Sequence, residues 1–380
     1  MALDEVGAAV VAAWCSDLER LRADRQTWRS LAYLRGEDER GYECDLHELA
    51  RARALWTLQY ASTPEDLPLL RFLLGQEATA RSEDPFQGCG EELELAGLLV
   101  AEHRQVHDVA LQWQAKTANF DTWCGYDLAF VLAGGVEDTV AFVRAGALED
   151  REALLQRITG EQGGPAMSQE DVDAWLVATR ERFPRDPADE APWTWMDRLR
   201  RLGDGDGARH YLRLWAVELP QDNPHALGGL QRELAEFGDF TEAADVQRRV
   251  LALIQGPDAR AAGLRRLAEL TRLSGDFTTA WQSLQDSLGH LDDQPGWRDA
   301  GLGRSFIEEH FLLAAAATDD SLARIVLDAG HRYAGTVPRL PLSMLEVAVR
   351  AAVRVGDADL AWHYRTVCDT ERRRIEAGLG

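Results

Sequence analysis

A recurring corner in the second half of this chain constrains its fold more than any other feature. It consists of glycine, then aspartate, then alanine four residues after the aspartate. The copies are Gly203-Asp204 with Ala208, Gly238-Asp239 with Ala243, Gly275-Asp276 with Ala280, and Gly356-Asp357 with Ala361. A further copy, Thr318-Asp319 with Ala323, lacks the glycine. Successive corners lie 35, 37, 43 and 38 residues apart. A period near that length matches one helical hairpin per repeat.

Each residue type suits the corner physically. Glycine takes the left-handed conformation that ends a helix, which a Cβ penalises. Aspartate can cap the next helix by accepting a hydrogen bond from an orphan amide. Alanine, one turn further on, lets two paired helices approach closely. Apolar stripes at helical spacing flank the corner, as Leu227, Leu230, Leu234 and Phe237 do before it and Val246, Val250, Leu251 and Ile254 after it. Pro220, Pro257, Pro295 and Pro338 punctuate the units, because proline cannot continue a helix interior. The expected fold class is all-α: an α-α superhelix, or solenoid, of stacked antiparallel helix pairs.

On these residues the chain resembles the tetratricopeptide-repeat family over about residues 190–370. Leu230, Leu234, Gly238, Asp239, Phe240 and Ala243 stand where that family's two helices and turn would place them, as do Tyr211, Leu212, Trp215 and Pro220 in the first repeat. One position departs from the pattern. The family's small first-helix residue is replaced by Met196, Gln231, Phe311 and Val349, with Ala268 conforming. The resemblance implies a concave wall lined by the first helix of each pair. Carried over, that wall holds Arg200, Arg201, Arg232, Arg265, Arg272, Arg350 and Arg354, with Glu190, Asp197, Glu236, Glu269, Glu308 and Glu346. It is near neutral in a chain of net charge −23. The lysine-based carboxylate clamp of chaperone-binding relatives cannot be built, since Lys116 is the only lysine and lies outside the array.

Residues 1–182 read as an irregular helical domain. Ser62-Thr63-Pro64-Glu65-Asp66 has the form of a helix start, with a hydroxyl cap, proline in the first turn and acids at the positive dipole end. The helix after it resembles a second helix of the HEAT type. Ser168 with Asp171 marks another start. Thr159–Pro165 and Phe183–Pro192 read as loops, the second as the boundary before a repeat domain at 190–380. Asp292–Gly296 reads as a shorter loop inside the array. Two corners pair cysteine with glycine beside aromatic and acidic residues: Asp84 to Glu91, and Asn119 to Asp127. In the second, Asn119, Asp121, Trp123 and Cys124 form a possible loop site, against the plainer reading of a capped inter-helix corner.

Catalytic and metal chemistry find little support. His103 and His107, four apart, suit one helix face, but Arg104 stands where a metalloprotease motif needs glutamate and no third ligand can be placed. Cys44 and His47 have a ligand-like gap without a partner set. The five cysteines are scattered and fit a reducing compartment. Sequence signatures for nucleotide phosphates, dinucleotides and a nucleophilic serine are absent, and no cofactor is implied. The strong negative charge argues against nucleic acid and an anionic membrane. Acidic Asp4 and Glu5 stand where a signal peptide would be basic, so a soluble cytoplasmic protein is expected.

The expected function is a non-enzymatic scaffold that binds a protein or peptide, acidic or presenting its C-terminus, on the concave face. The first alternative is an enzyme or metal-dependent protein with its site near His103, Cys89 and Asn119–Asp127. The second is an acidic inhibitor or immunity-type protein that masks a basic partner.

Overall fold

The structure is a computed structural model that describes residues 3–84, 88–160, 163–291, 296–297, 301–337 and 339–378. The chain divides into two compact units, residues 1–204 and 205–380.

In the second unit the helices are α12 (Gly205–Glu218), α13 (Pro224–Glu236), α14 (Phe240–Leu253), α15 (Pro257–Leu273) and α16 (Phe277–Leu291), then α17 (Gly301–Ala316), α18 (Asp320–Ala334), α19 (Leu342–Val355) and α20 (Ala358–Glu376). Helices α13 with α14, α15 with α16, α17 with α18, and α19 with α20 pack as antiparallel pairs. The second helix of one pair packs on the first of the next, as α14 does on α15. First helices also meet one another, α15 with α17 and α17 with α19. This is a stack of helix pairs, as the repeat implied.

The corners have the expected backbone. Gly203, Gly238, Gly275 and Gly356 all have positive φ, between 75° and 86°. At Gly275 the glycine N–H donates to the Arg272 carbonyl at 3.1 Å and the Asp276 N–H to Thr271 at 2.8 Å, the Schellman pattern that satisfies the last carbonyls of a helix. A Cβ at Gly238, Gly275 or Gly356 would meet nothing within 4 Å. Glycine is therefore required there for its dihedral freedom alone. Asp276, Asp319 and Asp357 each accept an amide hydrogen bond from the first turn of the following helix. Asp239 makes no such cap; its carboxylate lies 3.5 Å from Arg209 instead. Ala208, Ala243, Ala280 and Ala323 are fully buried.

The core of the unit runs through Leu284, Phe306, Phe311, Leu327 and Leu345. Of the punctuating prolines, Pro220 lies between helices, whereas Pro257 opens α15 at its first turn, where its missing N–H costs nothing. Pro295 and Pro338 lie outside the described residues, as does most of the loop 292–296.

The first unit comprises α1 (Leu3–Ala23), α2 (Glu48–Ala61), α3 (Leu67–Glu83), α4 (Glu91–Ala101), α5 (Val109–Lys116) and α6 (Phe120–Gly125), then α7 (Leu128–Leu132), α8 (Val136–Ala145), α9 (Arg151–Ile158), α10 (Gln169–Arg182) and α11 (Pro192–Arg201). Both helix starts form, the second with its hydroxyl cap and the first held by the Asp66 carboxylate. The Thr63 N–H donates to Asp66 at 2.7 Å, and Ser168 exchanges hydrogen bonds with Asp171. The helical reading missed a small antiparallel hairpin, β1 (Arg35–Glu37) with β2 (Glu43–Asp45), pairing Arg35 with Asp45. Its turn is closed by Asp38, which accepts from the amides of Arg40 and Tyr42, and by Gly41 at φ 80°.

Buried charge organises this unit. Arg51 on α2 is fully buried and donates to Glu77 on α3 at 2.6 Å and to Asp45 on β2 at 2.7 Å. Arg198 on α11, also buried, donates to Gln59, to the Tyr60 hydroxyl and to Glu91. Trp195 stacks on Tyr60 with ring centroids 5.8 Å apart. Helix α11, downstream of the Phe183–Pro192 loop, thus belongs to the first unit.

Candidate partner-binding surface

First helices meet from α15 to α19, and Arg266 on α15 reaches Gln231 on α13 at 3.3 Å, so the arginines of the expected wall can be followed along these helices. Arg232 on α13 and Arg350 on α19 occupy the same repeat position, six residues before Gly238 and Gly356. Both are exposed and make no ion pair among the described residues. At the equivalent place α15 carries Glu269, held by Arg265 at 3.2 Å and Arg266 at 2.8 Å.

Arg272 has a different role. Its Nε lies 2.5 Å from the Glu309 carboxylate on α17, and Glu309 is buried. Burial pushes the Glu309 carboxyl above its ordinary range, against the pull of Arg272. A buried carboxylate is costly without such a partner, so this pair ties neighbouring first helices together. Arg354 on α19 reaches back to the preceding corner. It donates to the carbonyls of Ala317 and Thr318 at 2.9 and 3.2 Å and lies 2.8 Å from Asp320.

Arg200 and Arg201 lie on α11 in the first unit. Arg200 pairs with Asp197 on its own helix at 2.6 Å. Arg201 pairs with Glu92 at 2.5 Å and Glu48 at 3.1 Å, and its guanidinium lies 5.1 Å from the Trp56 ring centre.

The expected loop site is a short helix, α6. Asn119 heads it, accepting from the Thr122 N–H at 2.8 Å and donating its amide to the Arg81 carbonyl at 3.0 Å. These bonds serve the fold. Asp121 is half-buried, and Cys124 is exposed. Trp123 packs edge-on against Trp113 and has Lys116 and Arg157 over its ring at 5.5 and 5.4 Å. Lys116 is itself buried and donates to the carbonyls of Trp123 and Tyr126. The sole lysine thus holds this corner closed. Burial pushes the Cys89 thiol up to about 11, the opposite of what a nucleophile needs. Part of the other cysteine corner, residues 85–87, lies outside the described residues.

His103 and His107 do not share a helix face. Arg104 between them has φ 53°, which ends α4 before a short 3₁₀ turn carries His107 against Phe142. His47 Nδ1 is engaged by the Ala32 carbonyl at 2.7 Å. Among the described residues no trio of His, Cys, Asp or Glu is placed to hold a metal ion, and no helix is long and apolar enough to cross a membrane.

The chain matches no protein-family model and no curated protein. Its functional reading therefore rests on its own surfaces.

Two arginines missed by the motif reading complete the array. Arg209 on α12 donates to the Phe237 carbonyl at 2.9 Å, and Arg324 on α18 donates to Val355 and Asp357 at 3.1 and 2.8 Å. Each clamps the next pair's corner. Their signal was present: both stand five residues after a corner aspartate, Asp204 or Asp319.

Proposed function

We propose that residues 205–380 form a non-enzymatic scaffold that binds a protein or peptide along the layer of first helices. The observation that carries this is the pair Arg232 and Arg350, exposed and unpaired at one repeat position while their neighbours are engaged within the stack. The tetratricopeptide-like pattern supports it, since such arrays bind extended chains on that wall. With neighbouring helices 8–10 Å apart, the three steps from α13 to α19 separate the two arginines by roughly 25–30 Å. About eight residues of extended peptide span that distance. Guanidinium forks favour carboxylates, so the partner presents acidic side chains or a free C-terminus. Arg265, Arg272 and Arg354 flank this track, already paired. On the first unit, Arg200 and Arg201 are candidates for a separate contact, and the corner of Asn119, Asp121, Trp123 and Cys124 is another candidate.

The test compares proteins captured from the native host by the wild-type chain and by the Arg232→Glu, Arg350→Glu double variant at equal thermal stability. Loss of a stoichiometric partner, restored when its acidic segment is made basic, is the expected result. Identical capture by both chains would refute the assignment.

A further inference from the structure

An open cavity of about 450 Å³ lies within the first unit, between α1, the 3₁₀ turn Arg25–Leu31 and α2. It lies on a different unit from the repeat surface and owes nothing to that reading. Its floor is apolar and already withdrawn from water: Trp14, Leu18, Leu21, Leu31 and Ala54 are buried, as is Thr57. The Thr57 hydroxyl is turned to the Arg53 carbonyl of its own helix, so it adds no free donor to the floor.

The rim has the opposite character. Arg20, Arg29 and Arg53 stand around the opening, with Asp17 as the only carboxylate lining it among the described residues. Asp17 is shared by Arg20 and Arg53, the latter at 2.5 Å. Arg29 is exposed and makes no ion pair among the described residues. Three guanidiniums against one carboxylate leave the mouth positive in a chain of net charge −23. Cavities of a few hundred Å³ with apolar walls and a few converging polar groups are the usual form of small-molecule sites.

From this geometry we infer that the cavity binds a small amphipathic carboxylate, its hydrocarbon body on the Leu18, Leu31 and Ala54 floor and its head group against Arg29. Asp17 leaves donors free on Arg20 and Arg53, since each guanidinium carries five N–H groups and a single carboxylate cannot engage both sets. The Asp17 carboxylate also repels a second anion, which favours a monoanion over a dicarboxylate. The head group sits at a solvated rim, so affinity falls as salt is raised.

The experiment is calorimetric titration of the full-length chain with decanoate below its micellar concentration, with decanol and decylammonium as neutral and cationic counterparts. Decanoate is expected to bind saturably at one site and the two counterparts at least about tenfold more weakly, a difference of about 1.4 kcal/mol. Arg29→Glu weakens decanoate by at least about tenfold. Ala50→Trp, at an exposed α2 position on the rim, blocks the mouth without touching the core and abolishes the heat. No saturable heat with the wild-type chain overturns the inference. Equal affinity for decanol overturns the role of the arginines, and unchanged affinity in a folded Ala50→Trp variant overturns the location.

Discussion

The guanidinium of Arg354 lies 2.9 Å from the carbonyl oxygen of Ala317, at the corner whose sequence has lost its glycine. Elsewhere a left-handed glycine folds two amides back onto the last carbonyls of the first helix. At Ala317-Thr318 the glycine is missing, and Arg354 of the next pair donates to the two carbonyls of the corner itself. The bond to Ala317 is equivalent to those from Arg209 to Phe237 and from Arg324 to Val355, the carbonyls just before Gly238 and Gly356.

Arg354→Met is therefore expected to destabilise the second unit by about 1–2 kcal/mol, through orphaned carbonyls. The Asp320 contact contributes little, since that carboxylate is 88% exposed. Asp320→Asn should leave the denaturant midpoint within about 0.5 kcal/mol of wild type. Equal losses in both variants would show that charge, not capping, holds the corner.

Gly275→Ala should cost about 1–2 kcal/mol, because a Cβ meets no atom there and only the positive φ is penalised. Gly275→Asn should recover part of that loss, as asparagine tolerates the left-handed region. Chemical denaturation measures both, and an alanine variant as stable as wild type would rule out the dihedral explanation.

Ala243 and Ala280 are fully buried. Leucine at either site overpacks the joint between paired helices and should cost about 1–3 kcal/mol. Unchanged melting would mean that the pairs are looser than the packing shows.

His310 gives the second unit an acid sensitivity. It is buried beside Trp281, Phe306 and Tyr333, with Nδ1 2.8 Å from the Phe306 carbonyl. Burial pulls its pKa from 6.5 down to about 4, against the opposing effect of that hydrogen bond. Between these values the unfolded chain binds a proton that the folded one does not, so stability rises with pH across the window and is lost on acidification. The loss from pH 7 to pH 4 is on the order of 3 kcal/mol. Glu309, raised by burial, contributes with the opposite sign. The difference between wild type and His310→Phe isolates the histidine, and parallel pH profiles for the two would dismiss it.

Arg198→Met should destabilise the first unit by about 3–5 kcal/mol, since it strips Glu190, 3.5 Å away and buried, of its cation. Arg198→Lys should recover little of this, because one ammonium cannot reach Gln59, Tyr60 and Glu91 together. Full recovery with lysine would show that charge alone matters.

What the chain determined by itself was local. Glycine at φ near 80°, aspartate at the helix start and alanine at the joint act within a few residues, so their spacing could be read directly as corners of helix pairs. The helix starts at Thr63 and Ser168 were legible for the same reason. Tertiary structure decided the destinations of the long cationic side chains. Arg201 meets Glu48, Arg272 meets Glu309 and Arg354 meets Ala317 across helices far apart in sequence. A guanidinium reaches several ångströms in any direction, so only the packed neighbours fix which carboxylate or carbonyl it finds. That is why the wall of arginines seen in the repeat resolves into structural ties and the exposed pair Arg232 and Arg350. It is also why a cavity ringed by Arg20, Arg29 and Arg53 left no trace in the pattern of residues.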